Sequence, residues 1–445
     1  MLQKYDAVVI GTGVAGSAVA TKCRGAGMKV AVVDSRPYGG TCPLRGCNPK
    51  KVLVGAAELV DWNNRMEGKG ILSKRTGIDW AFLREFKRTF TESVPQRMEE
   101  RFREQGIAMY HGHAYFSDES TLTIGDERVT ARYIVIATGA KPKRLNIPGE
   151  EHLTTSEEFM ELPQLPRDIV FVGGGYISFE FAHVAARAGS RVTILHMDST
   201  PLRHFDRDLA GMLVTASKAA GIEVQTNARV TALEKNKYHV LIRTTSEMFE
   251  SLFTEMVVHG AGRVPDIEDL NLNLGQVETE GGGVAVNKYL QSTSNPKVYA
   301  VGDCTGTGPP LSPVAALEGE IAATNMIEGN IREVNYTGIP SVVFTEPPLA
   351  MVGVPGGEAE KEWRVTFLDR SGWYSARRTN LKYAASKVLI DGQSDKILGA
   401  HILGENAGEV INIFALAMRL GLTASQLKEA IYTYPSICSD IAHMF

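Results

Sequence analysis

DAVVIGTGVAGSAVATKCRGAGMKVAVVD, residues 6–34, returns at residues 168–196 as DIVFVGGGYISFEFAHVAARAGSRVTILH. Each stretch opens with an aspartate, a short apolar run and a glycine turn. An alanine-rich stretch of helical character follows, then a glycine (Gly27, Gly189) and a second β-branched run. The spacing from the first glycine to the end of the second run is the same, Gly11 to Asp34 and Gly173 to His196. That order predicts strand–turn–helix–strand twice, the parallel βαβ unit. The expected fold is therefore α/β, with two Rossmann-like dinucleotide-binding domains of three-layer type.

The glycine turns carry chemistry. Gly11, Gly13 and Gly16 let the backbone approach a pyrophosphate at the helix N-terminus, where free amides and the helix dipole favour negative charge. Asp34 stands where a carboxylate accepts hydrogen bonds from a ribose diol. The second copy keeps Gly173 and Gly175, opens its helix with Tyr176 and Ile177, and has the small Ser178 in the third place. Two such sites predict two nucleotide cofactors.

The 445 residues allow two to four domains. With 44% hydrophobic and 22% charged residues, global disorder is excluded. A net charge of −4 argues against a nucleic-acid partner. No run of 18 apolar residues spans a membrane, and MLQKYDAVVIGTG leads straight into a strand, so the expectation is a cytoplasmic protein. Five cysteines are too few for a disulfide-stapled scaffold, which makes any close pair redox-active or metal-binding.

Such a pair lies in GGTCPLRGCNPKK, residues 39–51. Cys42 and Cys47 flank four residues, and the helix-like KVLVGAAELV follows. A helix N-terminus and nearby lysines are expected to lower a thiol pKa toward neutrality. Zinc would need two further ligands that Cys23, Cys304 and Cys438 do not offer, so no metal site is expected. His111 and His113, in the alternating YHGHAYF, read as strand residues.

The G-G-T-C-x4-C-x-P-x-K pattern resembles the redox segment of the flavin-dependent pyridine nucleotide–disulfide oxidoreductases. Glutathione reductase, dihydrolipoyl dehydrogenase and mercuric reductase belong to that family. The resemblance runs along the chain: IVIATGAKP (134–142), GAGRVPD (260–266), VYAVGDC (298–304), SVVFTEPPLAMVG (341–353) and ILGAHILGENAGEVI (397–411) are each similar to family segments in order. It implies a split FAD-binding domain at 1–150 and 270–335, an NAD(P)-binding domain at 151–269, and an α+β dimerisation domain at 336–445. It further implies a homodimer.

By that resemblance, FAD would lie along Gly11, Gly13, Gly16, Asp34, Gly40, Thr41, Lys50, Ala114, Thr138, Gly139 and Asp303. The nicotinamide coenzyme would lie along Gly173, Gly175, Tyr176, Ile177, His196, Arg203 and Gly262. Cys42 would be the interchange thiol, and Cys47 the thiol that forms a charge-transfer pair with the flavin. Lys50 and Glu180 match a family pair that stabilises charge on the reduced flavin. His196 replaces the acid of the first copy, and Arg191 and Arg203 lie close in sequence; a site without a carboxylate tolerates a 2′-phosphate. NADPH is therefore expected, with NADH open.

The C-terminus departs from the family. Its thiol-handling members carry His-Pro-Thr, with a glutamate five residues after the histidine, as an acid–base pair. In AIYTYPSICSDIAHMF (430–445), Tyr434 takes the histidine position and Ser439 the glutamate position. A phenol is a poor base at neutral pH. The vicinal cysteines with which mercuric reductase ends are absent too. Cys438 would share a face with Tyr434 if the segment were α-helical, and His443 with Asp440 could form a displaced acid–base pair. Arg45 is unusual in this loop; an anionic acceptor and loop packing explain it equally. Three functions stay open: reduction of an unusual small-molecule or protein-bound disulfide, reduction of a non-disulfide acceptor such as a metal ion or quinone, and a low-turnover redox sensor.

Overall fold

The structure, a computed structural model, describes residues 2–72, 76–248, 250–355 and 362–445. It is α/β and divides into two compact units. The first comprises Met1–Lys50, Phe86–Lys143 and Arg263–Tyr336. Its central strand Gln3–Ile10 pairs in parallel with Val30–Asp34 on one side and Glu127–Ile136 on the other. Ala108–His111 extends the sheet beyond Val30–Asp34, and Val298–Ala300 adds in parallel to Glu127–Ile136. The hairpin of Ala114–Asp118 and Thr121–Ile124 continues it antiparallel.

Apolar and polar residues do not alternate along the central strands because both sheet faces are covered, so the inner positions read as continuous apolar runs. Ala7, Val9, Val30 and Val32 face the helices Val14–Gly25 and Ser312–Glu328. Those helices approach closely at Gly319, where a Cβ would lie 2.6 Å from the Ala15 carbonyl oxygen. Val8, Ile10, Ala31 and Val33 belong to a second core, completed by Ile267, Leu270 and Val277.

The second unit comprises Lys51–Glu85, Arg144–Gly262 and Thr337–Phe445. Its parallel sheet runs Ile222–Gln225, Arg191–Leu195, Asp168–Val172, Met256–His259. An antiparallel meander, Val230–Lys235, Val240–Thr244 and Ser251–Thr254, lies beside it in sequence. The C-terminal segment forms a five-stranded antiparallel sheet in the order Ser341–Val343, Leu349–Gly353, Ile397–Leu403, Ala385–Asp391, Trp363–Asp369. The helix Ala407–Leu420 buries Ala407, Val410, Ile411 and Phe414 on it, a stripe of helical period. Among the described residues, no helix is long and apolar enough to cross a membrane.

Candidate functional site

The two repeats fold alike at hydrogen-bond level. Gly11 N–H donates to the Val33 carbonyl and Gly173 N–H to that of Leu195, each at 2.8 Å. Both glycines have positive φ, +102° and +103°, and neither has room for a side chain. A Cβ on Gly11 would lie 2.3 Å from the Ala137 oxygen, and one on Gly173 would lie 2.5 Å from that of Gly260. The third position differs. Gly16 needs to be bare, since its Cβ would meet the Gly11 oxygen at 2.0 Å. Ser178 fits because the strand Met256–His259 is followed by Gly260, whose absent side chain leaves room for the serine Oγ.

These turns suit dinucleotides. The helices Val14–Gly25 and Tyr176–Arg187 begin at Gly13 and Gly175, and no side chain caps either one. Their first amides are therefore available to a phosphate. Asp34 Oδ2 accepts from Thr12 N and Thr12 Oγ1 at 2.8 and 2.7 Å, which fixes the carboxylate at the turn. Thr138 Oγ1 is buried beside Gly11 with no hydrogen-bond partner among the described residues. Gly139 receives the Asp266 N–H on its carbonyl. The residues present fit an FAD in the first unit.

His196 does for the second turn what Asp34 does for the first. Gly174 N–H donates to His196 Nδ1 at 3.1 Å, and His196 Nε2 lies 3.1 Å from the Thr200 carbonyl oxygen. An N–H on one side and a carbonyl on the other place Nδ1 as the acceptor and Nε2 against an acceptor oxygen. Arg203 is exposed near this turn. Arg191 is not: it starts its strand and forms a bidentate pair with Asp168 at 2.5 and 2.7 Å, at the opposite end from His196. Its expected place near the coenzyme is corrected accordingly. Tyr176 and Ile177 open the helix, and Gly262, at φ +108°, ends the segment.

The cysteine segment docks on the first turn. Gly39 N–H donates to Thr12 Oγ1 at 3.2 Å, and a Cβ on Gly40 would lie 2.4 Å from Gly13 Cα. Thr41–Arg45 form a short helix carrying Cys42, and Cys47 starts the helix Cys47–Met66. Cys47 Sγ lies 3.6 Å from Ser312 Oγ, the first residue of another helix. Cys42 S–H donates to Asn48 Oδ1 at 3.9 Å. The Cys42 thiol is pushed up, chiefly by its hydrogen bond to Cys47 and then by burial, while Ser312 and Lys50 pull it down. The expectation of a lowered pKa thus fails for the dithiol form, because the Cys42 thiol is held by its hydrogen bond to Cys47 and by burial.

Other expected residues fall as follows. Asp303 sits in the helical turn Gly302–Cys304, its carboxyl pushed up by burial and pulled down by Arg263. That turn is held by Glu318, which accepts Gly302 N–H at 2.6 Å and Tyr336 O–H at 2.7 Å. Ala114 is buried at the start of its strand. Lys50 ends the first segment of the first unit, whereas Glu180 is buried in the second and accepts the Phe344 N–H at 2.9 Å. Tyr434 is 81% exposed. Thr12, Asn48, Ser312 and Glu318 escaped sequence reading; only Thr12, inside the G-x-G turn, had a local signal.

The tail expectations are corrected. Residues Ile437–His443 form a 3-10 helix that begins after Tyr434, so Tyr434 and Cys438 share no helical face. Asp440 accepts Ser375 O–H at 2.5 Å, while His443 packs edge-on against Trp373 with ring centres 6.4 Å apart. The two form no pair. His111 ends its strand with its ring stacked on Tyr38 at 4.3 Å, but His113 lies between strands. Cys23 and Cys304 are buried thiols pushed up to about 12 by burial. No group of three His, Cys, Asp or Glu is placed to hold a metal among the described residues.

Residues 5–319 match the family of pyridine nucleotide-disulphide oxidoreductases, and residues 339–445 match its dimerisation domain. The chain is 30% identical over 459 residues to glutathione reductase of Nostoc sp. (strain PCC 7120), covering 99% of each. It is 31% identical to mercuric reductase of Bacillus cereus, covering 98% of this chain and 70% of that protein. The solved Cu(II) complex of the HOCl-induced flavoprotein disulfide reductase RclA from Escherichia coli is similar over 100% of this chain and 99% of that one. The TM-score is 0.89, with 28% identity. Members of the family use FAD and NAD(P)H, and the matched dimerisation domain supports a homodimer. With its paired dinucleotide turns and its C-x4-C segment, the chain belongs to the pyridine nucleotide-disulphide oxidoreductase family and is an NAD(P)H-dependent flavoprotein oxidoreductase.

Proposed function

We propose that this enzyme passes electrons from NADPH to the Cys42–Cys47 pair and on to an unusual disulfide or thiol-linked acceptor. One observation carries the reading: two neighbouring thiols, Cys42 and Cys47, stand at a helix start, on a segment packed against the first dinucleotide turn. Bound FAD supplies two-electron transfer between a nicotinamide and such a pair. Gly11, Gly13, Asp34 and Asp303 would hold it, with Gly40, Thr41, Thr138 and Gly139 around it. Lys50 is read as a charge-stabilising cation beside it, the role the resemblance implies.

Cys42, half-buried beside Asn48, is assigned the attack on the acceptor, and the exposed Cys47 the flavin-side role, as the family resemblance implies. For the coenzyme, the support is His196. Its ring takes the place at the second turn that the Asp34 carboxylate takes at the first, Asp198 Oδ2 stands 3.9 Å from its Nε2, and Arg203 supplies the nearby cation that a 2′-phosphate would meet. Tyr434 is read as lining the acceptor cleft of the partner subunit, which makes the homodimer the working form. A cytoplasmic setting suits a thiol pair kept reduced by a nicotinamide coenzyme.

A second reading, reduction of a metal ion, rests on Tyr434 in the histidine position together with the likeness to Cu(II)-bound RclA and to mercuric reductases. NADPH oxidation assayed with glutathione disulfide, lipoamide, a quinone, Cu(II) and Hg(II) separates the readings. Turnover of a disulfide that Cys42→Ser abolishes supports the first. Turnover with Cu(II) or Hg(II) alone supports the second. Disulfide turnover at undiminished rate by Cys42→Ser refutes the first, and no turnover with either metal ion refutes the second.

A further inference from the structure

The redox pair has two neutral polar side chains against it, Ser312, which acts on both sulfurs, and Asn48, which meets Cys42. Cys47 has the Ser312 hydroxyl at 3.6 Å, and Cys42 has the Asn48 carboxamide at 3.9 Å. Asn48 is the second residue of the helix Cys47–Met66 and is followed by buried Pro49, so its backbone is fixed while its exposed side chain can turn. A carboxamide presents an acceptor oxygen and a donor NH2, and a half-turn about its last torsion exchanges the two.

We propose that Asn48 is a catalytic residue on the Cys42 sulfur: its oxygen accepts from the Cys42 thiol, and its NH2 donates to the Cys42 thiolate. The inference rests on Cys42 being the interchange thiol. It deepens that reading by naming what steadies the nucleophile in a chain that has tyrosine at 434. Hydrogen bonds to an ionised group are stronger than those to a neutral one, so the amide favours the thiolate. The other groups acting on the Cys42 sulfur are Cys47, Ser312 and Lys50, all within the first unit.

The exchange balances without a side-chain base. The Cys42 thiol loses its proton to water, its thiolate sulfur bonds to one sulfur of an acceptor disulfide, the acceptor S–S bond breaks, and the departing thiolate regains a proton from solvent. The Cys47 thiolate then attacks Cys42, re-forming the intramolecular disulfide and releasing the second acceptor thiolate. The two electrons delivered are those of one NAD(P)H. A carboxamide transfers no proton in either step; it only lowers the cost of charge on sulfur.

The test is a titration of Cys42 in the FAD-loaded full-length protein carrying Cys47→Ser, read as iodoacetamide alkylation rate against pH. Adding Asn48→Leu should raise the midpoint by about 0.5–1 pH unit, so that alkylation at pH 7 slows roughly 3- to 10-fold. Asn48→Asp should raise it further, by like-charge repulsion. Asn48→Ser, which keeps a donor, should stay within about 0.3 unit of the parent. Coincident midpoints for Asn48→Leu and its parent overturn the proposal, and so does a serine variant displaced as far as leucine. Peptide mapping of the reduced protein with both cysteines present tests the underlying assignment separately. Labelling of Cys47 ahead of Cys42 overturns the interchange role itself.

Discussion

Gly260→Ala probes the coenzyme turn of the second repeat through a contact whose size can be worked out. The added Cβ would lie 2.0 Å from Ser178 Oγ and 3.2 Å from Ser178 Cβ. Real Cβ contacts stay above 3.0 Å, so strand end and helix must separate by about 1 Å in a packed interior. Overpacking of that kind costs about 1–3 kcal/mol. Ser178 Oγ has no hydrogen-bond partner among the described residues, so Ser178→Ala alone should be neutral or slightly stabilising. In Gly260→Ala/Ser178→Ala the nearest side-chain approach becomes the 3.2 Å one, and most of the loss should return. Denaturant unfolding of the four proteins, with the KM for NADPH measured alongside, gives the double-mutant cycle. We expect a coupling above about 1 kcal/mol and a KM that rises in Gly260→Ala and recovers in the double variant. A Gly260→Ala protein as stable as wild type would refute the reasoning, as would a coupling below about 0.5 kcal/mol.

Coenzyme choice should follow His196 and Arg203: His196→Glu shifts the kcat/KM ratio toward NADH, and Arg203→Ala weakens NADPH about tenfold while sparing NADH. Equal losses for both coenzymes in both variants would remove these residues from the 2′-phosphate argument. Glu346 is pushed up to about 8, first by burial and then by Asp61, against the pull of Arg187. Its folded pKa is raised, so the native state keeps a proton that the unfolded chain releases, and stability falls as pH rises from about 4.5 to about 8. Glu346→Gln should flatten that decline in unfolding midpoints measured from pH 5 to 9; an unchanged slope would assign it elsewhere.

Legibility in the sequence followed how local each feature is. The βαβ repeat could be read because a turn with positive φ at Gly11 and Gly173 demands glycine within a few residues. The fit of Ser178 could not, since it depends on Gly260, a residue of a different strand end. Cys42 and Cys47 announce themselves by spacing, yet the raised thiol comes from one sulfur lying against the other. Arg191 looked close to His196 because five residues separate them, but along a strand that distance is roughly 17 Å, the depth of the sheet. At the C-terminus, an α-helical register carried across Pro435 misplaced Cys438, for the helix there begins at Ile437 and is 3-10. Asn48 and Ser312 had no signal; they matter only through where they meet sulfur.

The strand Val298–Ala300 enters the first sheet beside Glu127–Ile136, about 160 residues after that neighbour in the chain. During synthesis the edge of Ile134–Ile136 therefore stays open while the intervening segment emerges from the ribosome. At ~5–20 residues per second, that interval is roughly 8–30 s. Ser312 follows later still, so Cys42 and Cys47 leave the ribosome long before the hydroxyl that will sit against Cys47. Each new chain thus passes through a stage with its thiols made and their setting unfinished, open to stray oxidants and to mispairing with other nascent chains.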